Sequence, residues 1–507
     1  MTRGVIATPH RLASEVGGEI LREGGNAFDA AVAANAVLCV VYPHMTSIGG
    51  DLFALVWPAG ADAPVGLAGA GRAGSRAGID AVREQGWTQM PERGPCTVTV
   101  PGTVEAWGRL VERFGSLGLG ALLAPAAGLA RDGWVIAPGV AAALAQNAGW
   151  LAQEDEAWRL WPSLKEGMML RNPELAGVLD EIGRHGFADF YRGQIATAIA
   201  ETLERRGGFV TREDLARHRS EWVEPIAFGY RDLTVYELPP PTQGLAAAGL
   251  LRRFERRSPD ELRGPGFAGV LAEARDQVYP LRDWLISDPG FAAVPPEPFL
   301  DPAASGTAPV DRLPEGDTVY LCAADEHGNL VSLIQSVSGS FGSGVVATGT
   351  GVLLHNRGAY FRLDPGHVNR LEAGKRTMHT LIPALAARGG RPCLVFGTMG
   401  GDGQPQIQSQ VLIGLVDHGL DPQEAVARPR LRVPADGVLW VEADHPHATE
   451  ILRSRTGAVP MAPGDLGFGH AHAIAIDGPG AWRAGADPRS DGGVVAVSSA
   501  GGPPAVA

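Results

Sequence analysis

The run Gly316-Asp317-Thr318-Val319-Tyr320-Leu321-Cys322-Ala323-Ala324-Asp325, the turn Glu326-His327-Gly328-Asn329 and the run Leu330-Val331-Ser332-Leu333-Ile334-Gln335-Ser336 decide how this chain folds. Two β-rich runs flank a turn that holds Gly and Asn, which predicts a hairpin. A glycine-rich loop, Gly339-Ser340-Phe341-Gly342-Ser343-Gly344, follows, and then Leu353 to Phe361. The first run opens on a hydroxyl, Thr318, directly after Gly316-Asp317. Most strand threonines only pack, so function turns on whether Thr318 is one of those or a nucleophile.

Upstream of this hairpin the pattern is mostly helical. Pro9–Gly24 has Leu12, Val16, Ile20 and Leu21 at helical spacing, and Ala27–Val41 is apolar nearly all round, which predicts an interior helix. Leu52–Trp57 and Pro64–Leu67 read as paired strands. Helical periodicity then dominates from Val104 to Gly207, and Thr211-Arg-Glu-Asp214 is a helix start with a capping acid. Strands are expected at Glu224–Phe228 and Leu233–Glu237, and helices from Leu245 and from Phe267. Residues 288–315 are rich in Pro, Ala, Gly and acid with weak periodicity, which predicts a flexible linker ending just before Thr318. Such a segment can be cut without wrecking a core. Downstream, the strands Leu381–Ala387 and Pro392–Gly397 lead into Thr398-Met399-Gly400-Gly401-Asp402-Gly403 and a helix, Gln404–Asp417. That loop aims backbone N–H groups at whatever sits beside it. Further strands are expected at Leu439–Glu442, Ala471–Ile476 and Gly493–Val497, and disorder after Ser498.

With 507 residues the chain can bury a large core, and its 45% hydrophobic and 20% charged content is that of a globular protein. The net charge of −13 argues against nucleic-acid or anionic-membrane partners, which need a basic face. The start Met1-Thr-Arg-Gly-Val-Ile-Ala-Thr-Pro-His10 reaches a proline before an apolar core forms, so no signal peptide is expected. No run of about 18 apolar residues suggests a membrane span. A cytoplasmic location is the default expectation. Cys39, Cys96, Cys322 and Cys393 form no CxxC pair.

Other motifs give little. Gly69-Ala-Gly-Arg-Ala-Gly74 matches GxGxxG, but hairpin-like strands precede it and no acid ends a strand about 20 residues on. We read it as a loop carrying Arg72 toward a site. His445-Pro-His447 and His470-Ala-His472 lack companion carboxylates or cysteines, so neither a metal nor a cofactor is expected. Thr318 remains. If the Asp317–Thr318 bond is cut, Thr318 gains an α-amino group with a reference pKa of about 7.7–8.0. That amine can serve as the hydroxyl's own general base. Gly400 and Gly401 can supply oxyanion donors.

The motifs resemble those of the γ-glutamyltransferase (glutathione hydrolase) family of N-terminal-nucleophile hydrolases over nearly the whole length. The matching stretches are Ile20–Ala33, Tyr42–Gly50, Thr99–Thr103, Leu238–Pro241, Asp317-Thr318, Phe341–Gly344, Gly374–Arg376 and Met399–Gly401. The resemblance implies an α+β fold, a four-layer αββα sandwich, and a proenzyme that cleaves itself between Asp317 and Thr318. Residues 1–317 and 318–507 would form a large and a small fragment that stay together as one intertwined unit, and a homodimer is compatible with it. It implies Thr318 as nucleophile, Ser336 as the hydroxyl that bonds it and helps processing, and Gly400 and Gly401 as the oxyanion hole.

Arg72, Ser338, Arg357, His379 and Thr380 stand at substrate-binding positions, where the match loosens. Around Arg72 the family's Glu and Ala-Pro are lost. Asn356-Arg357-Gly358-Ala359-Tyr360 has an arginine where the family has Gln, and lacks the acid that binds an α-ammonium. The family's Ser-Ser pair is His379-Thr380. Burying an ammonium without a counter-charge is costly, so the pocket favours a small anionic acyl group lacking the α-amine. This variant is similar to the oxamate amidohydrolase branch and, more loosely, to glutaryl cephalosporin acylases. The expectation requires that Arg357 not be taken by a protein carboxylate such as Asp364. The alternatives are γ-glutamyl hydrolysis or transfer on glutathione, and an unprocessed, non-catalytic homologue that only binds.

Overall fold

The structure, a computed structural model, describes residues 2–314, 316–478, 480–498 and 505–506. In chain order its two large sheets are built from β1 (Thr2–Thr8), β2 (Asp51–Trp57), β3 (Val65–Gly69), β4 (Glu221–Val223), β5 (Ile226–Tyr230), β6 (Leu233–Glu237), β7 (Asp317–Asp325), β8 (Leu330–Ser338), β9 (Ala384–Arg388), β10 (Arg391–Thr398), β11 (Ala471–Gly478), β12 (Ala481–Ala486), β13 (Gly493–Ser498) and β14 (Ala505–Val506). The first sheet runs β14-β13-β1-β7-β8-β2-β3-β4 and the second β12-β11-β10-β9-β6-β5. Neighbours in both are antiparallel.

Side-chain alternation explains the layers. Along β7 the odd residues Val319, Leu321 and Ala323 pack into the helical core cluster, while Tyr320, Cys322 and Ala324 pack between the sheets. Both faces are therefore buried, which is why this strand reads as an uninterrupted apolar run. Helices α1 (Arg11–Arg22), α2 (Ala27–Val41), α3 (Thr103–Phe114) and α4 (Leu119–Asp132) cover the outer face of the first sheet. Every residue of α2 is buried. Helices α5 (Gly244–Phe254), α6 (Phe267–Leu285) and α7 (Gln404–Val416) cover the second sheet, with the short α8 (Pro422–Ala427) beside α7. The result is the expected four-layer αββα sandwich. Among the described residues no helix is long and apolar enough to cross a membrane.

Several local expectations shift. The predicted hairpin is present, with Gln335 opposite Val319 and a bulge before Ser338 meets Asp317. Thr211 caps its helix through the expected box with Asp214. The strand expected at Glu224–Phe228 forms as β5, Ile226–Tyr230, in the second sheet, and the unexpected β4 just before it joins the first. Strand β1 was not anticipated, because Thr2–Thr8 lacks alternation when both of its faces are covered. Residues 288–314 are not a free linker. A short helix, Glu297–Leu300, forms there; Arg253 bonds the Asp301 carbonyl, the Gly306 amide bonds Gln277, and the Asp311 amide bonds the Asp283 carboxylate at 2.8 Å. Residue 315 lies outside the described residues. So does most of the tail expected to be disordered beyond Ser498, although Ala505–Val506 pair with β13.

The sheets meet closely at Gly397 on β10, where a Cβ would lie 2.4 Å from the Tyr320 ring. The Tyr320 hydroxyl is itself held by Ser332 at 2.8 Å, so the ring cannot withdraw without losing that bond. Gly397→Val should lower the unfolding free energy by about 1–3 kcal/mol, measured by urea titration; an unchanged midpoint would show that the inter-sheet spacing is soft.

Candidate active site

The same alternation that puts Tyr320 between the sheets puts Thr318 there, one step from the end of β7. On β8, Ile334 faces the inter-sheet core, and so does Ser336 two residues on. On β2, Phe53 marks that face, and Asp51 shares it. Ser336 is the register partner of Asp51. Three strands thus bring a hydroxyl, a second hydroxyl and a carboxylate to one end of the interlayer space, and none is more than 1% exposed.

Ser336 Oγ donates to the Asp317 carbonyl oxygen at 2.5 Å and accepts from the Ser338 N–H at 2.7 Å. The second bond fixes the oxygen so that its own proton points at the first partner. Thr318 Oγ1 is buried and has no hydrogen-bond partner among the described residues. Ser338 sits at φ 79°, its backbone turned out of the strand just after the bulge, and its hydroxyl is likewise unpartnered. On either side of the Asp317–Thr318 bond, the carbonyl therefore has a hydroxyl donor, while the threonine hydroxyl has no partner among the described residues.

The Gly-Gly loop lies against the same segment. A Cβ on Gly401 would come within 3.2 Å of the Gly316 nitrogen, and Gly400 and Gly401 have φ of 137° and 56°, the region open to glycine. No hydrogen bond from the N–H of either glycine is found among the described residues. The loop is anchored from α6: Tyr279 Oη donates to the Asp402 carbonyl at 2.7 Å. Gln243 Nε2 donates to the carbonyls of Gly401 and Thr380, at 3.0 and 2.9 Å. Tyr360 Oη donates to the Pro314 carbonyl at 3.1 Å, holding the chain just before Gly316.

Arg357 is 1% exposed, and its Nη1 donates to Thr380 Oγ1 at 3.3 Å. Its Nε and Nη2 have no partner among the described residues. Asp364 does not pair with it, being exposed on the surface. The guanidinium lies over the Tyr360 ring, 4.8 Å from the centroid. Burial pushes the Arg357 pKa down, with Tyr360 and Asp51 opposing. His379 Nε2 meets Asp51 Oδ2 at 3.0 Å, and His355 Nδ1 lies 3.4 Å from the same carboxylate. Burial alone would raise the Asp51 pKa; His355, His379 and Arg357 outweigh it and hold it at about 2. Burial takes His379 down to about 3. The cluster is one buried carboxylate, two neutral imidazoles and one guanidinium.

Arg72 is elsewhere engaged. Its guanidinium bonds Asp288 at 3.0 Å, Glu221 at 3.4 Å and the Gly374 carbonyl. Only its neighbour Gly71 reaches the site, through an N–H bond to Asp51 Oδ1 at 3.3 Å. The glycines of that loop serve packing: a Cβ on Gly71 would lie 1.6 Å from the Val100 carbonyl oxygen, and one on Gly74 2.1 Å from that of Phe209. Asp51, His355, Gln243 and Tyr360 escaped the sequence reading. Asp51 left one signal, an acid opening the otherwise apolar Leu52–Trp57; the others left none that spacing could detect.

Buried histidines set the acid limit of the fold. His44, His379 and His470 are held down to about 3 and His472 to about 4, each first by burial. Below about 6.5 the unfolded imidazoles take protons that the native ones refuse, so stability is full above that pH and falls toward the native values. Each group contributes a slope of up to about 1.4 kcal/mol per pH unit. Urea midpoints should fall from pH 7 to pH 5, and His472→Gln, which removes one such group, should flatten that fall. Equal slopes in the two proteins would show that His472 is protonated in the native state.

The family profile described as gamma-glutamyltranspeptidase matches residues 13–497. A glutathione hydrolase-like proenzyme of Bacillus subtilis is 36% identical, covering 98% of this chain and 99% of its own. An oxamate amidohydrolase proenzyme of Klebsiella pneumoniae is 34% identical, covering 97% and 98%. Among solved structures, a cephalosporin acylase from Bacillus halodurans superposes with a TM-score of 0.89 at 34% identity, covering 97% of this chain and 95% of that one. With its αββα layers and the hydroxyl pair at the end of β7 and β8, the chain belongs to the gamma-glutamyltranspeptidase family of enzymes.

Proposed function

We propose that this amidohydrolase cuts its own chain between Asp317 and Thr318, and that the freed Thr318 then hydrolyses an amide of a small anionic acyl group, oxamate-like in its chemistry. The observation that carries the reading is the 2.5 Å bond from Ser336 Oγ to the Asp317 carbonyl beside an unpartnered Thr318 Oγ1. Thr318 Oγ attacks the carbonyl carbon that Ser336 polarises. The C–O bond forms, the C–N bond breaks, and the nitrogen takes the hydroxyl proton. Water hydrolyses the resulting ester, leaving a carboxyl terminus on Asp317 and a free amine on Thr318. Residues 1–317 and 318–507 stay interleaved, because β7 and β8 lie between β1 and β2 in one sheet.

In the cut form the α-amine takes the Thr318 hydroxyl proton as the oxygen attacks the substrate carbonyl. The N–H groups of Gly400 and Gly401 hold the oxyanion, a role worth about 10²–10³ in rate per donor. The amine returns its proton to the leaving nitrogen, and water releases the acid. Arg357 supports the substrate class. A buried guanidinium with two unpartnered nitrogens is costly, and a planar carboxylate matches its fork. Asp51 is already engaged by His379 and the Gly71 amide, so it offers an α-ammonium little. Thr380 stands beside Arg357, Ser338 opposite Asp317, and Arg72 is assigned to holding Asp288 and Glu221.

Purified protein should run as two fragments on denaturing gels, with Thr318 as the N-terminus of the smaller one by mass spectrometry. Thr318→Ala should leave one band and no activity. An active protein whose chain stays whole would refute the mechanism, and a whole, inactive wild type would favour the binding-only alternative. In a panel of oxamate, glutaryl amides and glutathione, Arg357→Gln should cut normally yet lose about 100-fold or more in kcat/KM on the anionic acyl amides. Glutathione turning over fastest would refute the pocket assignment and leave the cleavage mechanism standing.

A further inference from the structure

A second site lies at the outer edge of the second sheet's helical layer. A cleft opens between the end of helix Pro259–Arg263, the first residue of α6, the C-terminal half of α7 and the loop after α8. Arg263, His418, Arg428, Arg430 and His445 line it, and no Asp or Glu does. In a chain with 56 acids against 43 bases, that composition is unexpected for a solvated groove. Thr318 and the residues around it do not line it.

Each cation has a distinct status. Arg430 is neutralised by Asp487 at 2.6 Å and bonds the Phe468 and Gly469 carbonyls, so it is structural. Arg428 makes no ion pair among the described residues, and its Nη1 bonds His418 Nδ1. Arg263 is exposed and also makes no ion pair among them. The nearby Asp417 is occupied by Arg231 Nε at 2.7 Å and Tyr230 Oη at 2.5 Å. Burial and then Arg263 push the Arg428 pKa down, as expected for like charges that converge without a counter-ion.

His418 supplies the directional group. A guanidinium can only donate, so Nδ1 of His418 accepts from Arg428 and the neutral ring carries its proton on Nε2. That Nε2 is buried and has no partner among the described residues. Cations are favoured where His418 and Arg428 stand, just beyond the C-termini of α7 and α8. That preference explains neither Arg263 nor the stranded Nε2–H.

We propose that this cleft binds a small multivalent oxyanion, a phosphate or phosphomonoester, between the Arg263 and Arg428 guanidinia, with His418 Nε2–H as a third donor. Two forked guanidinia and a fixed N–H suit a tetrahedral group with several acceptor oxygens. The floor of the cleft is α7, the helix that follows the Gly400-Gly401 loop.

The test is calorimetric titration of the full-length protein with inorganic phosphate, and separately with glycerol phosphate, in a low-chloride buffer. One saturable site is expected, weakened at least 10-fold by Arg428→Gln and measurably by Arg263→Gln. The exposed Arg263 can be replaced without disturbing the core, so that variant tests the site even if Arg428→Gln misfolds. Stronger binding of glycerol phosphate would identify a phosphomonoester as the ligand, and of phosphate the free ion. Unsaturable heats, or binding unaffected by Arg263→Gln and any folded Arg428→Gln, would overturn the proposal. So would loss of binding in Arg357→Gln, which would place the anion beside Thr318.

Discussion

The hydrogen bond from Ser336 Oγ to the Asp317 carbonyl is the contact on which the Thr318 end of the interlayer space depends. It needs β7 and β8 paired, since only that register brings the two residues together. It needs Asp51 on β2, the register partner of Ser336, for the carboxylate to sit one strand away. It also needs both sheet faces covered, because an exposed Ser336 would trade the carbonyl for water. The helical layer over the first sheet and the second sheet beneath it supply that cover.

Charge is handled differently in the two halves of the sandwich. Near Thr318 one carboxylate, Asp51, serves two imidazoles and a guanidinium, and the surrounding residues hold it ionised despite full burial. Removing one member of such a group usually costs more than the group contributes, because a buried charge is left uncompensated. Arg357 is the exception in this cluster, with two nitrogens unsatisfied. Against the second sheet, Arg282 and Asp283 pair at 2.7 Å with neither side chain exposed, and Asp283 also holds the Asp311 amide. The segment leading to Thr318 is thereby tied to the helix that anchors the Gly-Gly loop.

Much of the arrangement around Thr318 was legible from residue type. A threonine after Gly-Asp, a hydroxyl on the partner strand and a Gly-Gly loop before a helix are local patterns. Ser336 and Gly401 then fall beside the Thr318 segment because strand pairing and loop position follow from those patterns. Asp51, His355 and Gln243 could not be read the same way. They reach the site from 267, 37 and 75 positions away from Thr318, by subtraction of their residue numbers, and no period links them to it. Arg72 shows the converse. Its loop does come to the site, yet Asp288, 216 positions on, takes the guanidinium.

The sequence by itself determined the alternation that buries both faces of β7, the interior character of α2 and the hydroxyl that opens the hairpin. These are properties of neighbouring residues, set by the period of the backbone and by side-chain chemistry. Only the tertiary structure decided which charges are satisfied. Arg72 and Arg357 are the same residue type in loops of similar composition. One bonds two carboxylates from distant strands and loops, and the other makes no ion pair among the described residues. Pairing depends on what the fold brings within about 4 Å of a guanidinium, and the partners of Arg72 lie more than a hundred residues from it along the chain.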